Sequence, residues 1–274
     1  MTSLFRCPIC AAPLERVERS YTCPNRHCYD IAKEGYVNLL PANKKHAKDP
    51  GDDKEMAAAR TRFLDGGHYA PLRDKLRELI TERTPDVLLD SGCGEGYYTA
   101  GIFEALKEAG KNVHCAGVDL SRSALKKAAR RAKEVEFAVA SVYHLPVEDK
   151  SADVLLNCFS PLALDEFRRV LKSGGTYLYV VPGAKHLWEL KQVLYENPYE
   201  NVEEETPYEG FVCEEIVPVE FEMDLDAPAL RDLFRMTPYY WKTPKAGAQR
   251  LTELEQLNVT ASFRIHVFRF DAQI

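Results

Sequence analysis

The period of apolar positions changes several times along the 274-residue chain, and those changes outline a fold. Compact apolar runs at residues 87–89, 113–118, 135–139, 152–156 and 176–181 lie between polar or glycine-bearing turns, which predicts five short buried strands. Helical spacing appears before them. Residues 55–64 read as one helix and residues 71–83 as another, with Leu72, Leu76, Leu79 and Ile80 on one face. Strands alternating with helices predict a parallel, doubly wound α/β sheet whose ligand sits at the carboxyl ends of the strands. Residues 211–225 and 259–270 are expected to be two final strands that close the sheet. Ahead of all this, ANKKHAKDPGDDK at residues 42–54 is polar and broken by Asp49-Pro50-Gly51, which marks a linker. Its Lys44, Lys45, His46 and Lys48 suit phosphate contact as well as they suit a solvated connector. Three units follow: residues 1–42, a linker and helix over 43–68, and a large domain over 69–274.

Composition narrows the class. With 45% hydrophobic and 28% charged residues, the chain is ordinary for a soluble globular protein. No apolar run approaches the length that spans a bilayer, and MTSLFRCPIC lacks a signal-peptide core, so a cytoplasmic protein without membrane partners is expected. The net charge of −6 is unevenly spread. Thirteen acidic residues lie between Glu189 and Asp226 against Lys191 alone, while six basic residues and no acidic one lie between Arg122 and Lys133. That balance argues against nonspecific coating of RNA without excluding a specific RNA substrate. The Arg122–Lys133 run reads first as a solvated helix face.

Half of the eight cysteines fall in CPICAAPLERVERSYTCPNRHC at residues 7–28. In a reducing compartment such clustering points to a metal rather than to disulfides. Cys7 and Cys10 form one C-x2-C knuckle, and Cys23 follows after twelve residues. The fourth ligand is either His27, spaced C-x3-H, or Cys28, spaced C-x4-C. Either set closes a tetrahedral zinc site with no open position, which makes it structural. Zinc then supplies the folding energy, on the order of 10–16 kcal/mol apparent, that so small a segment lacks. No strand–helix pattern of a thiol oxidoreductase surrounds the pair.

The stretch VLLDSGCGEGYYTAGIF carries the second motif. A strand ends at Asp90, and Gly92, Gly94 and Gly96 precede a helix, so the backbone turns sharply and approaches a ligand closely. The spacing D-x-G-x-G-x-G differs from the dinucleotide G-x-G-x-x-G. It resembles class I (Rossmann-like) S-adenosylmethionine-dependent methyltransferases. That resemblance implies glycines under the methionine moiety, Asp90 near its ammonium, Asp119 at the end of the second strand on the ribose hydroxyls, and Ala140-Ser141 on the adenine edge. It also places Asn157-Cys158-Phe159-Ser160-Pro161 over the active-site mouth. This tract departs from the N-P-P-Y of amino-methylating enzymes.

CPIC with CPNRH, DIAKEGYVNLLP, DPGD, FLDGGHYAPLRD, LDSGCGEGYYT, PGAKHLWELK and MTPYYW together make the whole chain similar to bacterial 23S rRNA (guanine-N1)-methyltransferases with an N-terminal zinc domain. The resemblance implies zinc on Cys7, Cys10, Cys23 and His27. It implies cofactor contacts from Tyr69, Gly94, Glu95, Asp119 and His186, added to Asp90, Gly92 and Ser141. S-adenosylmethionine and one structural zinc are the expected cofactors, and a 23S rRNA hairpin is the expected partner, with room for a homodimer. The small domain would read RNA through Arg6, Arg16, Arg19, Arg26, Tyr21 and Tyr29, and the large domain would carry the chemistry unaided. Guanine N1 must be unpaired and deprotonated. His144, Glu95 and Glu34 are candidate bases, and the sequence does not choose among them. Nor does it choose between two neighbouring guanines, or fix any effect on macrolide sensitivity. A methyltransferase for small molecules or proteins would need no zinc domain, and a silent RNA-binding relative would not need Asp90, Gly92, Gly94 and Asp119 intact.

Overall fold

The computed structural model describes residues 2–41, 54–203 and 208–273, so the expected linker, with its lysines and His46, lies outside the described residues apart from Lys54. Four short strands open the chain: β1 (Thr2–Arg6), β2 (Pro13–Val17), β3 (Ser20–Thr22) and β4 (Cys28–Asp30). They pair antiparallel in the order β1-β2-β3-β4. The two connections that carry cysteines each need a left-handed residue, Ala11 (φ 56°) and Arg26 (φ 64°). A two-residue strand, β5 (Val37–Asn38), then leaves this sheet.

Helices α1 (Lys54–Asp65) and α2 (Ala70–Arg83) fall where their apolar spacing predicts. Pro71 stands in the first turn of α2, where a missing N–H costs no intrahelical bond. There follow β6 (Val87–Ser91), α3 (Tyr97–Glu108), β7 (His114–Asp119), α4 (Arg122–Arg131), β8 (Glu136–Val139) and β9 (Ala152–Cys158). Next come α5 (Leu164–Val170), β10 (Leu171–Pro182) and α6 (Trp188–Leu194). The chain ends with β11 (Phe211–Asp226), α7 (Ala227–Met236), α8 (Tyr239–Lys242), α9 (Lys245–Thr252) and β12 (Gln256–Phe270). The large sheet runs β11-β12-β10-β9-β6-β7-β8-β5, and β12 is antiparallel to both its neighbours. Strand order reverses between β6 and β9, so the carboxyl ends of β6, β7 and β9 frame a crevice. Gly174 and Gly175, just before the apolar run at 176–181, lie in a bulge within β10: Leu171 pairs with Ala152, but Thr176 pairs with Val154.

The eighth strand corrects one expectation. The large sheet does not complete itself from residue 87 onward, because β5 pairs in parallel with β8 (Val37 with Ala138, Asn38 with Val139) and covers its edge. Phe5, Leu14, Tyr21, Val37 and Leu39 are buried in the same core layer as Leu89, Val118, Ala138 and Tyr177. Removing a Phe or Leu of this kind from water stabilises by about 1.5–3 kcal/mol each. The cause is size. Four strands of three to five residues cannot enclose an apolar core, so they bury one face against the large sheet.

Candidate functional site

Cys7, Cys10, Cys23 and His27 converge at the cysteine-bearing turns, with their ligand atoms all within 4.8 Å of one another. His27 Nδ1 lies 3.4 Å from each of the three sulfurs, and the Cys10 and Cys23 sulfurs are 3.7 Å apart. Ligands roughly 2.0–2.3 Å from one zinc at tetrahedral angles would stand about 3.5–3.8 Å apart. The donor set and spacing therefore fit zinc. Cys28 is exposed at the start of β4 and takes no part in this group. The Tyr29 hydroxyl lies 3.0 Å from the Cys7 sulfur.

Thirty residues of sequence build the second site, at the ends of β6 and β7. Gly92, Gly94 and Gly96 all have positive φ (86°, 54° and 73°). The Gly92 and Cys93 amides donate to the Val118 carbonyl at 2.9 and 3.0 Å, which folds the turn over the end of β7. A Cβ on Gly92 would fall 1.9 Å from Ser160 Oγ, whereas one on Gly94 would meet nothing within 4 Å. Gly94 thus faces open space and Gly92 is wedged under the loop after β9.

Asp90 is buried, and Thr99 Oγ1 donates to its Oδ2 at 2.5 Å. Its Oδ1 is buried with no hydrogen-bond partner among the described residues. Burial pushes the carboxyl up to about 7, with Thr99 opposing the shift and Asp119 adding to it. A buried carboxylate oxygen left unpaired fits a ligand ammonium, which would both bond it and restore its charge. Asp119 receives the Gly94 amide on Oδ2 (2.9 Å) and the Ser121 amide on Oδ1 (2.7 Å). An ionised carboxylate has about four acceptor positions, so hydroxyl donors can still be met. Ser141 follows β8 and turns back on His144, whose amide donates to its carbonyl at 3.0 Å. The cradle fits S-adenosylmethionine.

Tyr69 and His186 meet through a shared neighbour. The Tyr69 ring stands edge-on to Phe263 (centroids 5.1 Å apart), and His186 lies 4.5 Å from the same ring. His186 Nδ1 accepts the Ser262 amide at 3.2 Å, which puts any proton on Nε2. Burial lowers its pKa to about 3, so the ring is neutral. Glu95 is placed differently. Its carboxylate is taken up by Arg131 on Oε1 and Thr61 on Oε2 (each 2.5 Å), with Lys127 Nζ at 3.8 Å. What it leaves for a ligand is its backbone. These partners also revise the basic run: Lys127 reaches α1, Arg131 bridges Asp65 and Glu95, and Arg130 pairs with Glu34. Half of that run staples elements over the glycine turn.

The three candidate bases are not brought together. Glu95 and Glu34 are ion-paired, and His144 is exposed on the loop after β8. That loop and the zinc knuckle line a cleft of about 1080 Å³ that includes Arg6, Ile9, Pro41, Ser141 and His144. Sequence reasoning missed two features. Phe263 joins Tyr69 to His186 from β12, a pairing no local motif encodes. Lys191, the sole cation of the acidic stretch, is fully buried and donates to the Tyr199 carbonyl and Asn201 Oδ1 between the Tyr199 and Tyr239 rings.

A sheet of this order, with a glycine turn after its first central strand and acids at the ends of that strand and the next, defines a class I S-adenosylmethionine-dependent methyltransferase, here carrying a zinc ribbon. The family model described as RlmA, N-terminal, a zinc ribbon, matches residues 5–48, and the methyltransferase-domain model matches residues 84–254. The chain is 37% identical to the 23S rRNA (guanine(748)-N(1))-methyltransferase of Streptomyces fradiae, covering 97% of this chain and 96% of that one. It is 33% identical to YxjB of Bacillus subtilis (strain 168), over 96% of each chain, whose name provisionally gives the same activity without a position. The chain belongs to the 23S rRNA (guanine-N1)-methyltransferase family.

Proposed function

We propose that the chain methylates N1 of one guanine in a 23S rRNA hairpin, using S-adenosylmethionine and a structural zinc held by Cys7, Cys10, Cys23 and His27. The observation that carries this reading is the unpaired Asp90 oxygen, set beside the open Gly94 turn in a chain that aligns end to end with a guanine-N1 enzyme. The cofactor supplies an activated methyl on a sulfonium, so the protein's work is alignment and exclusion of water. Asp90 would accept the cofactor's ammonium, Asp119 its ribose hydroxyls, and Ser141 would border the adenine. Tyr69 and His186, neutral and buried around Phe263, would wall the methionine end. Gly92 and Gly94 let the backbone come close. The closed Cys3His site offers no Lewis-acid position and serves folding. No helix among the described residues is long and apolar enough to cross a membrane. An enzyme of ribosomal RNA would work in the cytoplasm.

The division of labour we favour has residues 1–42 touching RNA and residues 69–274 holding cofactor, with the cleft beside Ser141 as the shared border. The test is methylation of a synthetic 23S rRNA hairpin by the purified chain, read by reverse transcription. A new stop at the guanine corresponding to position 748 is expected, since a methyl on N1 blocks pairing. A methylated hairpin without a stop would place the methyl on another atom and overturn the reading. Metal content measured alongside should drop in His27→Ala and stay near one zinc in Cys28→Ser; the reverse would replace His27 as ligand.

A further inference from the structure

We propose that Phe159 is the platform on which the target guanine stacks, an inference that rests on the activity proposed above. The residue directly follows β9, at the carboxyl edge of the sheet beside the crevice. Its backbone is left-handed (φ 56°), a conformation that L side chains adopt at a cost, and the residue is 49% exposed. Neither core layer includes it. A strained, exposed aromatic that lies outside both core layers points to a ligand.

The ring is also fixed in place. Asn157 is fully buried, donates through Nδ2 to the Pro161 carbonyl (3.0 Å) and accepts the Ser160 amide on Oδ1 (3.3 Å). Ser160 in turn stands directly over Gly92. Phe263 and Tyr98 flank the Phe159 ring at 5.5 and 6.4 Å, and Phe263 is the ring that joins Tyr69 and His186. Tyr98 Oη and Ser160 Oγ are both buried without a partner among the described residues, which marks this corner as built around something more than itself. Phe159 is therefore held against Phe263 and Tyr98 while about half of the residue stays exposed.

Stacking suits this reaction in particular. The electron pair that takes the methyl at N1 lies in the plane of the base, so the donor must approach along the edge of the ring. A platform on the face fixes that plane and leaves the edge free. It also holds a base that has left its pairing partner.

The experiment uses the full zinc-loaded chain, the rRNA hairpin, and the variants Phe159→Ala, Phe159→Leu, Phe159→Tyr and Phe159→Trp. Loss of the ring, in Ala and Leu, should lower kcat/KM for the hairpin by roughly 10–100-fold, while S-adenosylmethionine affinity stays within about twofold. Tyr and Trp should stay within about threefold of wild type. Leu keeps the apolar bulk, so a Leu variant as active as Trp would overturn the platform while the activity itself stood. Wild-type enzyme that leaves the hairpin unmethylated would overturn the activity reading, and the platform with it.

Discussion

At the scale of single residues, Asp90 is the carboxyl that burial displaces beside the glycine turn. Its pKa near 7 stands above that of an unfolded aspartate, so burying the ionised form costs stability, and the cost grows as pH rises from the acid range to about 7. Asp90→Asn removes it. The cofactor-free variant should gain roughly 1–3 kcal/mol in urea unfolding at about pH 8, and nothing near pH 4. Cofactor binding runs the other way, because an ammonium needs the carboxylate ionised. Wild-type affinity should fall about tenfold per unit as pH drops below about 7, while Asp90→Asn binds weakly and without that slope. Calorimetric affinity that is flat across this window would remove Asp90 from the ammonium site. Tyr29 stands at the other site: with zinc bound, its hydroxyl, 3.0 Å from the Cys7 sulfur, would donate to the thiolate. Such partners are worth about 10–100-fold in metal affinity, so Tyr29→Phe should release zinc to a chromogenic chelator at least several-fold faster. An unchanged release rate would reduce that hydroxyl to packing.

At the scale of elements, the parallel strands and first two helices were legible because each has its own local pattern: Leu72, Leu76 and Ile80 mark α2, and the run before Asp90 marks β6. Spacing grouped Cys7, Cys10 and Cys23 and left the fourth position open between His27 and Cys28, and the fold draws His27 to the three sulfurs. What was not legible depends on partners far away in sequence. Val37-Asn38 looks like part of any polar-flanked turn, and only the open edge of β8, a hundred residues on, makes it a strand. Phe263, on the strand that closes the sheet, is equally silent, since alternation along β12 does not say which ring it will meet. The basic run on α4 misleads for a related reason, because its partners Glu34, Asp65 and Glu95 lie on other elements. One earlier expectation changes as a result. A chain beginning at Lys54 would lack β5 and the residues Phe5, Leu14, Tyr21 and Leu39 that share a core layer with Leu89, Val118 and Ala138. It should be poorly soluble, with a substantially lower melting temperature, rather than a free-standing cofactor-binding domain. A soluble, cooperatively melting Lys54–Ile274 chain with near wild-type cofactor affinity would show that the large sheet needs no cover.

For the molecule as a whole, Glu136 at the start of β8 is where the two parts meet. It accepts the Tyr21 hydroxyl (2.8 Å) and the Leu4 amide (2.9 Å) from the zinc segment, and His114 Nε2 lies 2.7 Å away on β7. Hydrogen bonds to its charged form outweigh its burial and hold its pKa down. Arg6, next to Cys7, donates its amide to Pro146 on the loop that begins at Ser141. The cysteine–histidine cluster and the loop bearing Ser141 are thereby joined through one strand and one loop. Stripping zinc from the full chain should weaken S-adenosylmethionine binding about tenfold, and bound cofactor should slow zinc loss, because such coupling is reciprocal. Equal cofactor affinity with and without zinc would uncouple them.

The pairing of β5 with β8 also sets a timetable. During synthesis the zinc ribbon leaves the ribosome about a hundred residues before the strand it must dock on, a wait of roughly 5–20 s at ordinary elongation rates. Through that interval Phe5, Leu14 and Leu39 have no sheet to cover them, and the ribbon has only its metal to keep it folded. Zinc present during translation should therefore raise the yield of native protein more than zinc added after synthesis, as soluble yield from cell-free synthesis with early and late zinc would show.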